Sequence, residues 1–451
     1  MFRVTVRMGL STFNSQLFTL HSSLFTKMDR TIPPLIQSQD FAFRKPERHI
    51  LPNGIMLSTI ASAGHEEVLR IDFVFAVGQW HQVQKLQALF TCRMLREGCR
   101  GYSSADFAER LDYYGAWLEL SVGMNRSFVT LYTLKKFFDQ TLQLVHSMLS
   151  EPAYGEEQFL TIRANNKAQL LVNMQKGDVC AQRALRCSIY GDAHPCGMSA
   201  DPEDYDALQT LHLREFFARH YGSRNCSIYL SGSVDDSVIQ RIEQLFGATP
   251  WGSVTPVNAV QYSLCPAESM TQHIIRPDAL QSSIRMGALM MDVNDPDYLS
   301  MRVLTTVLGG YFGSRLMKNV REDKGYTYHI SSDLITNTSQ VLFLVGCEAL
   351  ADKADEVIAE VHDEMLRLQH EPISDAELLM VRNYMTGEIC RNYEGAFSLA
   401  DAYIFLEHLG LPETHIENTI EAIRTTDAAR LQQLAQRYLR PESLYTVVVK
   451  P

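Results

Sequence analysis

The sequence predicts an α+β fold made of two duplicated halves, each a largely antiparallel sheet with helices packed on one face. Three observations carry this. Strand-period and helix-period stretches alternate from about Pro46 to the end of the chain. A short run of letters in the first half returns roughly 220 residues later. Between the two stretches, residues 250–266 are rich in Pro, Ser, Val and Gly, the composition of a linker.

The elements follow in order. Leu69, Ile71, Phe73, Phe75 and Val77 alternate with Arg70, Asp72, Val74 and Ala76, the period of a strand with one apolar face, and Gly78 ends it. Ser103 or Ser104 caps a helix that carries Phe107, Leu111 and Tyr114 on one side, with Gly115 just past its end. Residues 117–122 and 127–134 read as a strand pair around Gly123 and Asn125. Helices are expected over 137–149 and 156–174. In the second half, 282–289 and 340–347 are strand-like and 298–308 helical, while Val357, Val361, Met365 and Leu368 mark an amphipathic helix.

The letters repeat as well. Glu151-Pro152-Ala153-Tyr154-Gly155-Glu156-Glu157-Gln158-Phe159 is echoed by Glu371-Pro372-Ile373-Ser374-Asp375-Ala376-Glu377-Leu378-Leu379, and both run on to an arginine, Arg163 and Arg382. A period this long means duplicated domains rather than a solenoid. The expected division is a leader over 1–45, a first half over 46–255, a linker over 256–269 and a second half over 270–451.

Composition narrows the function classes. With 46% hydrophobic and 21% charged residues, the 451-residue chain has the balance of a globular protein with a full core. Its net charge of −11, with no run of five or six basic residues, disfavours nucleic acid. No window approaches the 18 or so apolar residues of a membrane span. Nine cysteines, an odd number without C-x-x-C pairs, suit reduced thiols in a reducing compartment, so the expected location is cytoplasmic. The first 27 residues are basic, Ser- and Phe-containing and free of acids. They read as an over-extended start with Met28 as the true one, or as a transit peptide, which would make the location mitochondrial.

Specific motifs come next. Residues 77–104, VGQWHQVQKLQALFTCRMLREGCRGYSS, resemble the signature region of the pitrilysin-like (M16) zinc metallopeptidase family, where V-G-S-R-x-E leads into H-F-L-E-H-M-L-F-K-G-T. Gly-Asp-Ala-His-Pro at 191–195 is similar to its H-P-Y-G segment, and residues 216–234 to its F-x-x-x-Y-x-P-x-N strand entry. Residues 308–331, LGGYFGSRLMKNVREDKGYTYHIS, match its L-G-G-G-x-S-S-R-L-F-x-x-V-R-E-x-x-G-L-A-Y-S-V most closely. The resemblance spans nearly all of 46–451 and implies the duplicated α+β fold.

That family's chemistry needs H-x-x-E-H on a helix, two histidines for zinc and a glutamate to activate the bound water, with a further glutamate ligand downstream. The alignment puts Leu89, Cys92, Arg93 and Gln169 at these positions. Leu89 has no lone pair, Arg93 stays protonated and repels a dication, and Gln169 is neutral. No other such motif occurs, and His81, His146, His194, His220 and His329 have no partner histidine at ligand spacing. No catalytic zinc is expected in this chain.

What the resemblance implies for the second half is different. The family's Arg and Tyr, seven residues apart, reach towards a zinc-bound substrate, and Arg321 and Tyr328 stand at that spacing. The plainer alternative is Arg321 in a salt bridge and Tyr328 packing a strand. Gly309, Gly310 and Gly313 form a loop able to contact substrate, or a helix-entry turn. Arg315 reads as structural. The implied function is the non-zinc subunit of a heteromeric M16-type metalloendopeptidase. Its partner would be a similar-sized chain with an intact H-x-x-E-H and the zinc, and its substrates unstructured peptides added to a sheet edge. The alternative is a catalytically inactive scaffold protein. A third reading makes Cys92, beside Arg93, a nucleophile without a base within a helical turn.

Overall fold

A computed structural model describes residues 43–451, apart from Ala63, His65, Glu66, Ala259 and Asn337. The first 27 residues, with their two readings as a transit peptide or an over-extended start, lie outside the described residues. No helix among those described is long and apolar enough to cross a membrane.

Among the described residues eleven strands make two sheets. The first contains β1 (Glu47–Ile50), β2 (Met56–Ala61), β3 (Val68–Phe75), β4 (Trp117–Val122), β5 (Ser127–Leu134) and β6 (Cys226–Gly232) in the order β1-β2-β6-β3-β5-β4. The second contains β7 (Thr271–Ile275), β8 (Gln281–Asp292), β9 (Thr327–Ile335), β10 (Gln340–Leu350) and β11 (Tyr445–Lys450) in the order β7-β11-β8-β10-β9. Each sheet holds one parallel pair, β2 with β6 and β7 with β11; the other pairs are antiparallel. Without β1 the two orders coincide strand for strand, which is the duplication written in topology.

The echoed letters sit at equivalent places. Both begin helices of eighteen residues, Glu156–Asn173 and Asp375–Asn392. Arg163 donates to the carbonyl of Leu208, 45 residues on, and Arg382 to that of Thr426, 44 residues on. Each arginine thereby ties its helix to the turn preceding the third helix further on, Thr210–His220 or Ala428–Tyr438. Ser103 caps Ser104–Tyr113 reciprocally with Asp106, Phe107 and Leu111 are buried, and Gly115 takes the positive φ of +61 that ends the turn.

The helices of each half lie on one face of its own sheet, burying Leu69, Ile71, Phe73 and Phe75 in one core and Ile284, Met286 and Ile330 in another. The opposite face is covered too, by one helix from the other half. Gly177–Tyr190 packs on β8 and β11, with Ala181, Leu185 and Ile189 against Val447 and Val449. In return Gly395–Leu409 packs on β2 and β6. This exchange explains why the polar face of β3 is not in water. Arg70 and Asp72 are buried there in a 2.9 Å ion pair, and Arg70 reaches Phe397 and Asp401 of the covering helix. The described residues of 256–269 hold no helix or strand but are fastened down: Trp80 Nε1 donates to the Val260 carbonyl at 2.7 Å, and Tyr262 Oη to that of Trp80 at 3.0 Å.

Candidate functional site

The segment aligned with H-x-x-E-H is helical, Gln87–Arg93. Leu86 enters it at φ 70, a left-handed conformation that costs a branched side chain about 1 kcal/mol. Its carbonyl accepts from Phe90 N at 2.9 Å, and the Gln87 amide bridges to the His212 carbonyl at 2.8 Å. Leu89 is half-buried against the first core. Cys92 is fully buried, its sulfur 3.7 Å from the carbonyls of Ser121 and Phe128, and burial pushes the thiol up to about 12. This corrects the nucleophile reading: the thiolate is the reactive form, and here neither water nor substrate reaches the sulfur.

Arg93 points outward and hydrogen-bonds Asn166 on the facing helix Glu156–Asn173. Gln169 lies one turn further along and donates to Asn173 at 3.2 Å. The two helices therefore face each other as a ligand set across helices requires, but amide and guanidinium groups occupy the gap. These residues do not fit zinc: one is apolar, one is a protonated thiol turned into the core, one is a permanent cation and one is a neutral amide. Asn166 was not legible beforehand, because only the packing of the two helices selects it over its neighbours. Among the described residues no three His, Cys, Asp or Glu side chains gather as a metal site. The fold does bring His81 and His220 together, ring centroids 6.3 Å apart, and burial with the His81 charge pushes His220 down to about 4.

The second half presents a different surface. Helix Tyr298–Thr305 passes into a π-helical turn at Thr306–Gly310, and a second π-helical turn spans Met317–Asp323. Such turns are rare and collect at functional sites. Arg321 lies in the second of them. Its guanidinium carbon sits 5.1 Å from the ring centre of Tyr328 and 4.5 Å from that of Phe312. Tyr328, the second residue of edge strand β9, is 83% exposed, and Phe312 63%. Arg321 has no ion pair among the described residues, so the structure brings Arg321 and Tyr328 together as an open aromatic-cationic patch. Phe312 was missed; its one sequence signal is an aromatic residue inside a glycine-rich run.

Gly309 and Gly310 are placed less favourably for substrate contact. Gly309 is buried, and a Cβ there would sit 2.5 Å from Ser332 N of β9. Close packing of the turn on the strand accounts for that glycine, which corrects its reading as part of an open loop. Gly310 is half-buried, and a Cβ there would have the Thr306 side chain as its nearest neighbour, at 3.2 Å. Arg315 makes a two-pronged pair with Glu377 at 2.9 and 3.0 Å, a structural tie between the glycine run and helix Asp375–Asn392.

Comparison with known proteins agrees with this geometry. The family model described as peptidase M16 inactive domain matches residues 207–385. A "non-peptidase homolog YmxG" of Helicobacter pylori is 20% identical over 411 residues, 89% of this chain and 90% of that one. An "uncharacterized zinc protease YmxG" of Bacillus subtilis is 21% identical over 392 residues, 83% of this chain and 93% of that one. The crystal structure of a peptidase M16 inactive domain from Pseudomonas fluorescens superposes with a TM-score of 0.81 at 20% identity, covering 90% of this chain and 98% of that one. The periplasmic protease PqqL from Escherichia coli gives a TM-score of 0.72 at 15% identity, covering 98% of this chain but 51% of that longer one. The match over 207–385, the duplicated topology and the altered helix point the same way: this chain is similar to proteins of the M16 peptidase family and shares the fold of their inactive domains, and its positions aligned with H-x-x-E-H carry no zinc ligands.

Proposed function

We propose that this chain is a non-catalytic M16 protein that works through binding, as an inactive member of a larger assembly. One observation carries the reading. The positions that would hold zinc and its activating base are not merely vacated; Cys92 is built into the core and Arg93 into a contact with Asn166. A chain in that condition hydrolyses no peptide by the family's mechanism on its own.

The exposed patch of Arg321, Tyr328 and Phe312 favours a second reading, in which the chain lends substrate-binding and oxyanion-stabilising groups to a zinc-bearing M16 partner. Tyr328 lies on an edge strand whose outer backbone groups suit an extended peptide. A cation held over two exposed rings at a sheet edge is costly surface to keep for packing alone. On this reading the partner is a similar-sized chain with an intact H-x-x-E-H, and unstructured peptides are the substrates.

The deciding experiment is affinity purification of the tagged chain from its native host, with co-purifying proteins identified by mass. A stoichiometric H-x-x-E-H chain, together with peptide cleavage blocked by a chelator, establishes the split-site peptidase. Recovery in an assembly without a zinc-bearing relative establishes the inactive member, and cleavage by the purified chain alone overturns both.

A further inference from the structure

A cavity of about 1050 Å³ has neither the altered helix nor Arg321 in its lining. It opens between elements of both halves. The turn before β5 gives Arg126, the turn before β6 gives Arg224, the end of helix Gly395–Leu409 gives His408, and the connector gives Tyr262. Trp80 and His194 complete an edge-to-face aromatic wall with Tyr262, ring centres 5.2 Å from Trp80 to each.

The electrostatics of this cavity run against those of the chain. The protein carries a net charge of −11, yet no aspartate or glutamate is among the described residues that line the cavity. Arg224 has no hydrogen-bond or ion-pair partner among the described residues and is exposed. Arg126 approaches an imidazole rather than a carboxylate, its Nε 3.4 Å from His408 Nδ1. Glu407, beside His408 in sequence, is already taken by Tyr229 and Ser227. Two guanidinium groups in a concave, partly aromatic site, left without an acid, focus positive potential inward and match planar anions two-pronged. The volume is that of a cavity for a small organic molecule, much larger than one inorganic ion requires.

We infer that this cavity binds a small organic anion, its carboxylate or phosphate groups taken by Arg126 and Arg224 and its body lying against Trp80 and Tyr262. The inference stands apart from both functional readings above. Because the lining comes from both halves and the connector, an occupant would also fasten them together.

The test uses the full chain with two probes, citrate for carboxylate and adenosine monophosphate for phosphate, against sodium chloride at equal ionic strength. At least one probe should raise the melting temperature saturably and change tryptophan fluorescence, and the Trp80→Phe variant should lose the fluorescence change while keeping the thermal shift. Arg224→Gln, on an exposed turn, should weaken half-saturation about tenfold while melting as the wild type does without anion, and Arg126→Gln should do likewise. Which probe acts identifies the anionic group. No saturable effect from either, or the same affinity in both arginine variants, overturns the site.

Discussion

The guanidinium of half-buried Arg321 lies over the exposed ring of Tyr328, 5.1 Å from carbon to ring centre, at the second residue of an edge strand. An exposed cation–π contact stabilises by only about 0.5–1 kcal/mol. Removing either partner should therefore leave folding nearly untouched. In an assembly with a zinc-bearing M16 chain, Arg321→Ala or Tyr328→Phe should lower peptide turnover by roughly tenfold to a hundredfold, with an unchanged melting temperature. Unchanged turnover in both variants would remove these residues from any substrate site.

Gly309 gives the opposite expectation. A methyl group there meets Ser332 backbone at 2.5 Å and cannot be relieved by a rotamer change. Gly309→Ala should cost about 1–3 kcal/mol in urea unfolding. Gly310→Ala, whose nearest neighbour is a threonine side chain at 3.2 Å, should cost less than about 1 kcal/mol.

Asp72 holds Arg70 from below while Thr130 donates to the same carboxylate oxygen at 2.7 Å. Asp72→Ala leaves the Arg70 guanidinium with Asp401 as its one carboxylate partner and removes the acceptor of Thr130, so a loss of about 1–3 kcal/mol is expected. Replacing both at once, Arg70→Met with Asp72→Leu, should recover much of it, and equal losses in single and double variants would refute the pairing argument.

His220 titrates far below its usual value because burial and the neighbouring His81 oppose its charge. Its folded value is about 4 against 6.5 unfolded, so the unfolded chain takes up the proton first as pH falls. The stability due to neutral His220 is complete above pH 6.5 and is lost progressively as pH drops towards 4. His81, His146, His194, His362 and His415 shift in the same direction. Urea unfolding from pH 7.5 to 4.5 should show the decline, and His220→Gln should reduce it by roughly 1–2 kcal/mol, discounted for its partial exposure.

Cysteine labelling separates the thiols. Native protein treated with iodoacetamide should be modified at exposed Cys187 and Cys265 and spared at Cys92, which reacts only after unfolding. Rapid native labelling of Cys92 would contradict its burial.

Much of this fold was legible in the sequence, because strand alternation and capping are local signals. The strand pair around Gly123 and the cap at Ser103 are set by residues within one turn or hairpin. What periodicity cannot carry is the identity of the second layer. Arg70 and Asp72 have the alternation of a wet face, and only the arrival of Phe397 and Asp401, more than 300 residues away, makes them buried. The altered zinc helix was readable residue by residue, whereas Asn166 enters its site through the packing of two helices 73 residues apart, and Phe312 through the turn that folds it back onto Arg321. The glycine run left two readings open for a related reason: a buried close approach and an open loop use the same letter.

The reciprocal covering of the two sheets has a mechanical consequence. Each half wears as its outer lid a helix that belongs to its twin, so the halves are clasped and not simply tethered. Cutting the backbone between Pro256 and Ser269 would remove one covalent strap and leave both clasps closed. Two fragments made together should associate and refold as a pair, while either made alone would expose a bare sheet face and aggregate. Any opening of this molecule must first peel a lid from the wrong owner, which binds its motions to both halves at once.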